Sequence, residues 1–472
     1  MKTECKSKQI KFQELGSRKV VGKFDGGKIT SDGGGLLLRE INRRTNVIKN
    51  FSQCFTDYRD PDSIEHTVAE LVSQRVFGLA LGYEDLNDHD LLRSDPLLAV
   101  LCEKDDPTGT SRKCPRDKGK ALAGKSTLNR LELTGLDADE TSRYKKIIAN
   151  SERIDDLFVD VFLDSYSKAP DRIILDLDAT DDPLHGNQEG RFFHGYYRSY
   201  CYLPLYIFCE DHLLCARLRP SNIDASEGTV KELERIISRI RKTWPDVNIF
   251  IRGDSGFCRE EIMGWCEAHS VGYILGLAKN HRLNRMLKED LVDAELMYRT
   301  TGRASRIYTD FFYQTLKTWS KPRRVIGKAE YLQKGPNPRF VVTSISGEKM
   351  DTGQLYEKLY CARGDMENRI KEQQLYLFAD RTSTSQMRSN QIRLYFSSVA
   401  YLLVSALRRF GLKGTKLAKA QCHTIRLKLL KVGAQVRVTV RKVWISWAEG
   451  YPFRDIFHQV FENIRKAPIT IQ

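Results

Sequence analysis

The sequence lacks a hydrophobic run long enough to cross a membrane. Its longest apolar stretch, residues 394–407, falls short of the roughly 20 residues that a transmembrane helix needs and is flanked by Arg393, Arg408 and Arg409. The opening residues, MKTECKSKQIKFQEL, also lack the apolar core of a secretory signal. These two absences predict a soluble intracellular protein.

Close cysteine pairs are also missing. The eleven cysteines are scattered and never form a CxxC motif, which is typical of reduced thiols in a cytosolic protein rather than of a disulfide framework. Cys201, Cys209 and Cys215 are separated by eight and six positions, whereas structural zinc sites usually contain ligands close together in sequence. We therefore expect neither a disulfide framework nor a zinc site.

Acidic residues are absent from residues 381–443, a stretch that contains fourteen lysines and arginines. The whole chain has 76 Lys and Arg against 61 Asp and Glu, a formal net charge of +15. A long field of one sign attracts polyanions. The sequence therefore predicts a nucleic-acid partner, and Arg437 and Arg441 are candidate DNA contacts.

The pattern of hydrophobic residues divides the 472-residue chain into five segments. Residues 1–165 are mainly helical, with small helices beside a basic loop, and are expected to bind a DNA end. Residues 166–285 indicate three strands, a helix, a strand, a helix and a strand, which predicts a mixed sheet covered by helices. Residues 286–352 predict an antiparallel β insertion, residues 353–410 are helical, and residues 411–472 are basic and include a hairpin-like segment. The predicted fold class is a multidomain α/β protein.

Two apolar strands each end in a carboxylate at a turn. The segment RIILDLD ends at Asp178 and the segment VNIFIRGD ends at Asp254. Open α/β sheets place functional groups at the carboxyl ends of their strands, although a single turn aspartate can equally be a helix cap. Asp176 lies on the same strand face as Asp178 and stays a candidate for an accessory acid.

A third acid follows in the segment YCARGDMENRIKEQ. Tyr360, Arg363 and Glu367 are three and four positions apart, so a helix places them on one face, with Lys371 one turn later. Surface ion pairing gives the same pattern. Together with the two strand-end aspartates, however, Glu367 completes a set of three carboxylates, which are ligands that Mg²⁺ accepts. Two such ions stabilise both oxygens of an in-line phosphodiester displacement.

Three segments in this order, LDLDATDDPLHGNQEGRFFHGYY, IRGDSGF and YCARGDMENRIKEQ, resemble the DDE transposases of bacterial insertion sequences. Within these, the chain resembles the insertion-sequence thirteen-eighty family, of the wider group with a Tyr-Arg-Glu-Lys signature. GYEDLNDHDLLRSDP and LAGKSTLNRLE resemble its N-terminal part, so the resemblance covers most of the chain. It implies a ribonuclease-H-like core interrupted by the β insertion, with Asp178, Asp254 and Glu367 as catalytic metal ligands. It further implies that Tyr360 and Arg363 contact DNA phosphates.

One position departs from the signature, because its lysine falls on Gln374 of this chain, and Lys371 is the candidate replacement. The resemblance implies an enzyme that uses Mg²⁺ or Mn²⁺, with two ions expected, to cleave the inverted repeats of its element and join the 3′-hydroxyls to target DNA. It implies a homodimer or larger assembly on DNA in the bacterial cytoplasm. A non-catalytic DNA-binding repressor and a structure-specific nuclease of the same fold remain alternatives.

A literal P-loop pattern, GKALAGKS, occupies residues 119–126. A P-loop follows a buried strand and opens a helix. The preceding residues, DDPTGTSRKCPRDK, do not form such a strand, so we interpret the segment as a basic loop and not as a nucleotide site.

Overall fold

The computed structural model describes residues 9–467. Residues 1–8 and 468–472 of the predicted terminal segments lie outside the described residues. The strands are β1 (Ile10–Leu15), β2 (Arg18–Gly22), β3 (Ile29–Thr30), β4 (Phe55–Asp57), β5 (Ile147–Ala149), β6 (Arg172–Ala179), β7 (Asp182–Pro183), β8 (Phe192–His194), β9 (Ser199–Tyr202), β10 (Leu205–Cys209), β11 (His212–Arg217), β12 (Asn248–Gly253), β13 (Gly272–Leu277), β14 (Ser305–Tyr313), β15 (Arg323–Leu332), β16 (Gly335–Pro336), β17 (Arg339–Thr343), β18 (Ala434–Val438) and β19 (Val443–Trp447).

The α-helices are shorter than the predicted helical stretches and are separated by turns. They are α1 (Leu36–Thr45), α2 (Val47–Ser52), α3 (Val68–Leu81), α4 (Asp88–Leu92), α5 (Pro96–Leu101), α6 (Lys125–Leu133), α7 (Ser151–Asp164), α8 (Thr229–Thr243), α9 (Glu260–Ala268), α10 (His281–Met286), α11 (Lys288–Thr301), α12 (Thr352–Gln354), α13 (Gly364–Leu377), α14 (Met387–Ala406), α15 (Cys422–Ile425) and α16 (Arg454–Lys466). Among the described residues, none of these helices is both long and apolar enough to span a bilayer.

The chain folds into two compact units. Within the described range, the first unit combines residues 9–149 with residues 399–467, and the second contains residues 150–398. The second unit contains a nine-stranded sheet in the order β11-β10-β6-β12-β13-β17-β15-β14, with β16 paired to β15. Strands β6, β12 and β13 are parallel to one another, and their other neighbours in the sheet are antiparallel. The predicted mixed sheet is confirmed, as is the predicted order of a helix, a strand, a helix and a strand from α8 to β13.

The segment YCYLPLYIF was predicted as one strand, and this prediction is wrong. Its first part forms β9, which pairs with β7 and β8 in a separate three-stranded sheet, and only its second part, β10, pairs with β6. The break falls at Leu203 and Pro204. Proline has no backbone N–H to donate to a neighbouring strand, so the segment changes sheet there.

The predicted antiparallel pieces after β13 are also confirmed as strands. Strand β17 pairs antiparallel with β13, and β15 and β14 follow in turn, so these pieces extend the main sheet instead of forming a separate one. Helices α10 and α11 precede them.

Apolar side chains cover both faces of the main sheet. Alternation along β6 places Ile173, Leu175 and Leu177 in the larger core, together with residues of α8 and β12. Helix α8 faces this core because Leu233, Ile236, Ile237 and Ile240 recur at helical spacing. Ile174, on the opposite face of β6, packs against a smaller core that includes Ile274, Val341 and Leu359. The odd and even positions of β6 therefore face opposite sides, as predicted.

The first unit is built from the N-terminal helices α1 to α6 and the C-terminal hairpin β18–β19. Helix α3 begins at a capping box of Thr67 and Glu70 and ends at Gly82, whose φ of 97° suits glycine. The Arg426 guanidinium donates to the carbonyls of Leu79 and Ala80, at the end of that helix. Part of the basic stretch therefore stabilises the protein's own fold.

Candidate active site

Asp178 and Asp254 meet because their strands are parallel neighbours. Leu177 of β6 pairs with Gly253 of β12, so Asp178 and Asp254 occupy the next position on each chain segment, at the same edge of the sheet. Asp254 begins a short turn, Ser255–Phe257, and its Oδ1 accepts a hydrogen bond from the backbone N–H of Gly256 at 2.8 Å. The two aspartates therefore lie side by side at the carboxyl ends of two core strands, as the sequence predicts.

Arg363 connects the third acid to this edge. It directly precedes α13, and its guanidinium lies 2.9 Å from the Glu367 carboxylate and 3.5 Å from that of Asp178. Arg363 and Glu367 therefore share a face, as predicted, and through Arg363 this face contacts the strand residue Asp178. Asp178, Glu367 and Arg363 form one charged cluster.

The electrostatics of this cluster depend on burial. Burial raises the pKa of Asp178 to about 7; the positive charge of Arg363 acts against this rise, whereas the nearby charges of Asp254 and Glu367 add to it. Burial disfavours the charged form of Arg363, but Asp178 and its other neighbours more than compensate, so the pKa of Arg363 is raised. The negative charges of three carboxylates therefore act on the same small region, and the guanidinium of Arg363 partly neutralises them.

The donor chemistry fits a hard divalent cation. The charges of Asp254 and Glu367 raise the pKa of Asp178, a cation among the three carboxylates would oppose that rise, and Mg²⁺ prefers such oxygen ligands. As placed, however, no group of three or more His, Cys, Asp or Glu side chains within residues 9–467 is arranged to hold a metal ion. Two of the three acids instead bind the guanidinium of Arg363.

Asp176 has a different environment from Asp178. It is buried, and its carboxylate forms an ion pair with Arg252, whose Nη2 donates to Oδ2 at 2.8 Å. The same guanidinium donates to the carbonyl of Leu359, just before Tyr360. Asp176 and Arg252 therefore tie the segment before α13 to the sheet.

Tyr360 lies beside Asp254. It ends a wide helical turn, Leu355–Tyr360, and burial raises its pKa, with Arg363 lowering it and Asp254 raising it further. Its hydroxyl lies so close to the backbone of β13 that a Cβ on Gly276 would be 2.6 Å from it. Gly276 therefore makes room for the tyrosine at the acidic edge.

The two candidates for the signature lysine have different positions. Lys371 is exposed and forms no ion pair within the described part of the chain. Gln374 donates from its amide to Oδ1 of Asp182 at 2.8 Å and to the carbonyl of Asp181 at 3.1 Å. Asp182 is fully buried, and burial raises its pKa to about 8. Gln374 thus satisfies one oxygen of a buried carboxyl group close to the end of β6.

Two further candidate DNA contacts, Arg437 and Arg441, lie in the first unit. Arg437 and Arg441 are exposed on the hairpin β18–β19, where Arg437 and Lys442 lie over the ring of Trp444 at 5.9 and 5.2 Å. In the same unit a cavity of about 660 Å³ is lined by eight lysines and arginines and four acids. Residues of the P-loop pattern line part of this cavity, and the pattern leads into α6. The nearest strand before the pattern among the described residues is β4, so no strand directly precedes it. This supports its interpretation as a basic loop.

Sequence reasoning missed Arg252 and Gly276. Arg252 is two residues before Asp254 and therefore shares its strand face, and it pairs across the sheet with Asp176. An arginine in an otherwise apolar strand was the available signal. No signal identified Gly276, because its contact with Tyr360 joins residues far apart in the chain.

Comparison with known proteins gives a family match over nearly the whole chain. The family described as "Transposase DDE domain group 1" matches residues 12–469. No curated protein matches the chain. Seven chains of solved structures match, among them one described as "Cryo-EM structure of piggyBac transposase synaptic complex with hairpin DNA", at 12% identity and a TM-score of 0.41 over 85% of this chain and 80% of that chain.

Proposed function

Because the chain belongs to the transposase DDE domain group 1 family, we propose that it is a DNA transposase that cleaves the ends of its own insertion sequence and joins the freed 3′-hydroxyls to target DNA. The observation that carries this proposal is the convergence of Asp178, Asp254 and Glu367 on Arg363 at one edge of the sheet. Such a cluster, in a strongly basic chain, suits chemistry on a phosphodiester.

The arrangement of the sheet supports a ribonuclease-H-like core. Strands β6, β10 and β11 form the antiparallel part, and β12 and β13 continue from β6 in parallel. Two acids end central strands of this sheet, and the third lies on α13 after the inserted strands. The proposal includes bacterial origin and the insertion-sequence thirteen-eighty family, both of which rest on the sequence resemblance.

In this assignment Asp178, Asp254 and Glu367 would hold Mg²⁺, or Mn²⁺ in its place, as two ions, and the bound ions would activate water and stabilise the leaving oxygen. Asp178 is favoured over Asp176 because both carboxylate oxygens of Asp176 already accept from Arg252. We propose that Asp176, predicted as a possible accessory acid, positions the segment that leads to Tyr360.

Arg363 and Tyr360 are proposed to bind the DNA backbone. The planar guanidinium of Arg363 pairs with the acids in the free protein, and its geometry suits two oxygens of a phosphate equally well. The Tyr360 hydroxyl is protonated at neutral pH, and burial raises its pKa further, so that it can donate to a phosphate oxygen. Lys371 adds positive charge one helical turn beyond Glu367.

DNA further from the cleavage point is proposed to bind the first unit. Its basic cavity includes Arg130, Arg143 and Lys146, none of which forms an ion pair with a carboxylate in the described part of the chain. Arg437 and Arg441 offer exposed charge on the hairpin. Pairing two element ends requires at least a dimer during the reaction, in the cytoplasm where the DNA lies.

Purified protein and a plasmid that contains the DNA flanking the gene test this function. Asp254→Asn should abolish cleavage in Mg²⁺ while end binding stays nearly intact, because the change removes one ligand and no basic surface. Asp246→Asn, at an exposed turn of the same unit, is the matched control and should cleave normally. Wild-type protein that binds the ends without cutting them would indicate a repressor. Equal cleavage of branched DNA of any sequence would indicate a structure-specific nuclease.

A further inference from the structure

A hairpin beside the acidic edge exposes an unusual number of aromatic side chains. This aromatic hairpin, residues 190–202, contains strands β8 and β9. Phe192, Phe193, Tyr196 and Tyr200 are 42%, 58%, 84% and 44% exposed. Leaving this much aromatic surface in water is unfavourable, and clustered exposed apolar groups mark interaction sites.

The aromatic hairpin is held firmly in place. At its tip the N–H of Arg198, a residue with φ of 54°, donates to the carbonyl of His194 at 2.8 Å and closes a four-residue loop. At its base the Tyr202 hydroxyl donates to the carbonyl of Glu189 at 2.6 Å, and the Ser221 hydroxyl donates to that of Phe192 at 2.9 Å. The exposed rings are therefore presented on a preorganised support.

The tip of the aromatic hairpin lies next to the acids. The Tyr197 hydroxyl donates to the carbonyl of Ala179, the residue after Asp178, at 3.3 Å. The ring of Tyr196 contacts that of Tyr197 with centroids 5.0 Å apart. Tyr196, the most exposed ring of the hairpin, is therefore one aromatic neighbour away from the strand end that carries Asp178.

The charge of the aromatic hairpin indicates what covers it. Residues 190–202 include Arg191 and Arg198 but no Asp or Glu. The Arg191 guanidinium stacks 3.8 Å from the centre of the Tyr200 ring. Exposed aromatic faces interleaved with cations are what single-stranded nucleic acids bind, because every base has a face that stacks and every phosphate is an anion.

We propose that the aromatic hairpin binds unpaired nucleotides of DNA next to the phosphate that is cleaved, with Tyr196 and Phe193 stacking on bases and Arg198 contacting the backbone. This inference rests on the proposed function, since it takes DNA as the substrate of the adjacent acids. Stacking would hold frayed bases away from the duplex and leave the phosphodiester accessible to Asp178 and Asp254.

Binding of short DNA probes tests the inference without any cleavage. One probe is a blunt duplex, and the other is the same duplex with a short unpaired tail that contains 2-aminopurine, both measured with a chelator present. Wild-type protein should bind the tailed probe more tightly and quench the 2-aminopurine. Tyr196→Ala should lose on the order of tenfold of the affinity for the tailed probe, because one stacked base is lost, and should bind the blunt duplex as before.

Two further variants separate stacking from other effects. Tyr196→Phe keeps the ring and should behave as wild type, and Phe312→Ala removes an aromatic ring of the same unit that is 73% exposed but outside the hairpin. Equal binding of both probes by the wild type would overturn the inference and leave the transposase assignment standing. A Tyr196→Ala protein that changes from dimer to monomer with its tail preference intact would also overturn it, by showing that a second copy covers the hairpin. Failure to bind either probe would contradict both proposals.

Discussion

Replacement of Arg363 by methionine should make the acidic edge dependent on a divalent cation for its stability. Methionine keeps most of the apolar stem of arginine and removes the charge. Without the guanidinium, the carboxylates of Asp178, Asp254 and Glu367 repel one another with no cation between them. A divalent cation that binds among these carboxylates then supplies the stabilisation that the guanidinium previously supplied.

The loss in free energy of unfolding follows from how exposed the two ion pairs of Arg363 are. The carboxylate of Asp178 is 16% exposed, so its attraction to Arg363 is about 4 kcal/mol before desolvation, which offsets roughly half of it. The carboxylate of Glu367 is 46% exposed, and that pair contributes only about 0.5 kcal/mol. The free energy of unfolding of the variant should therefore fall by about 2 kcal/mol, which lowers the Tm of a unit of this size by about 4 to 8 °C.

Thermal unfolding of the full chain with a chelator and with Mg²⁺ measures the effect. Mg²⁺ should raise the Tm of Arg363→Met more than that of the wild type, because tighter binding to the folded state gives more stabilisation. Arg369→Met is the matched control on the same helix, where the arginine pairs with Asp211 and Glu372. It should lose stability without gaining a response to Mg²⁺. Equal responses of the two variants would refute the reasoning.

Substitutions at four other positions give distinct outcomes. Burial raises the pKa of Asp182 in the folded protein to about 8 from 3.8. Wild-type protein should therefore lose stability relative to Asp182→Asn as pH rises from about 4 to 8. Denaturant unfolding curves that keep the same separation between the two proteins at both pH values would contradict the burial of this group. Gly276→Ala should displace Tyr360 and reduce cleavage at least about tenfold at a cost of about 1 to 3 kcal/mol in stability, and unchanged cleavage kinetics would argue against the tyrosine's role. Charge reversal at Arg437 or Arg441 should reduce the slope of binding against salt by about one counterion each, and an unchanged slope would move the DNA path elsewhere.

Local patterns predicted the parts of the fold that depend on local physics. Alternation in RIILDLD predicted the two faces of β6, and the pattern of hydrophobic residues after β11 predicted α8 as a helix. The change of sheet between β9 and β10 was missed, although Pro204 was visible, because a single proline does not reveal which strand a segment pairs with. The same limit hid the fact that the inserted strands extend the main sheet.

The candidate site shows a similar division. The ends of two strands predicted that Asp178 and Asp254 would be neighbours, and helical spacing predicted that Arg363 and Glu367 would share a face. Helical spacing could not show that Arg363 also pairs with Asp178, since that contact depends on how α13 packs on the sheet. The roles assigned to these residues, and to Tyr360 and Lys371, stay predictions.

The most direct test of the central claim is excision of a marked donor flanked by the element's own ends. Wild-type protein should excise the donor, and Asp178→Ala, Asp254→Ala and Glu367→Ala should each fail while still binding the ends. Excision by any of the three variants at the wild-type level would contradict the assignment of that acid. Wild-type protein that binds the ends but cuts them in neither Mg²⁺ nor Mn²⁺ would contradict the enzyme itself.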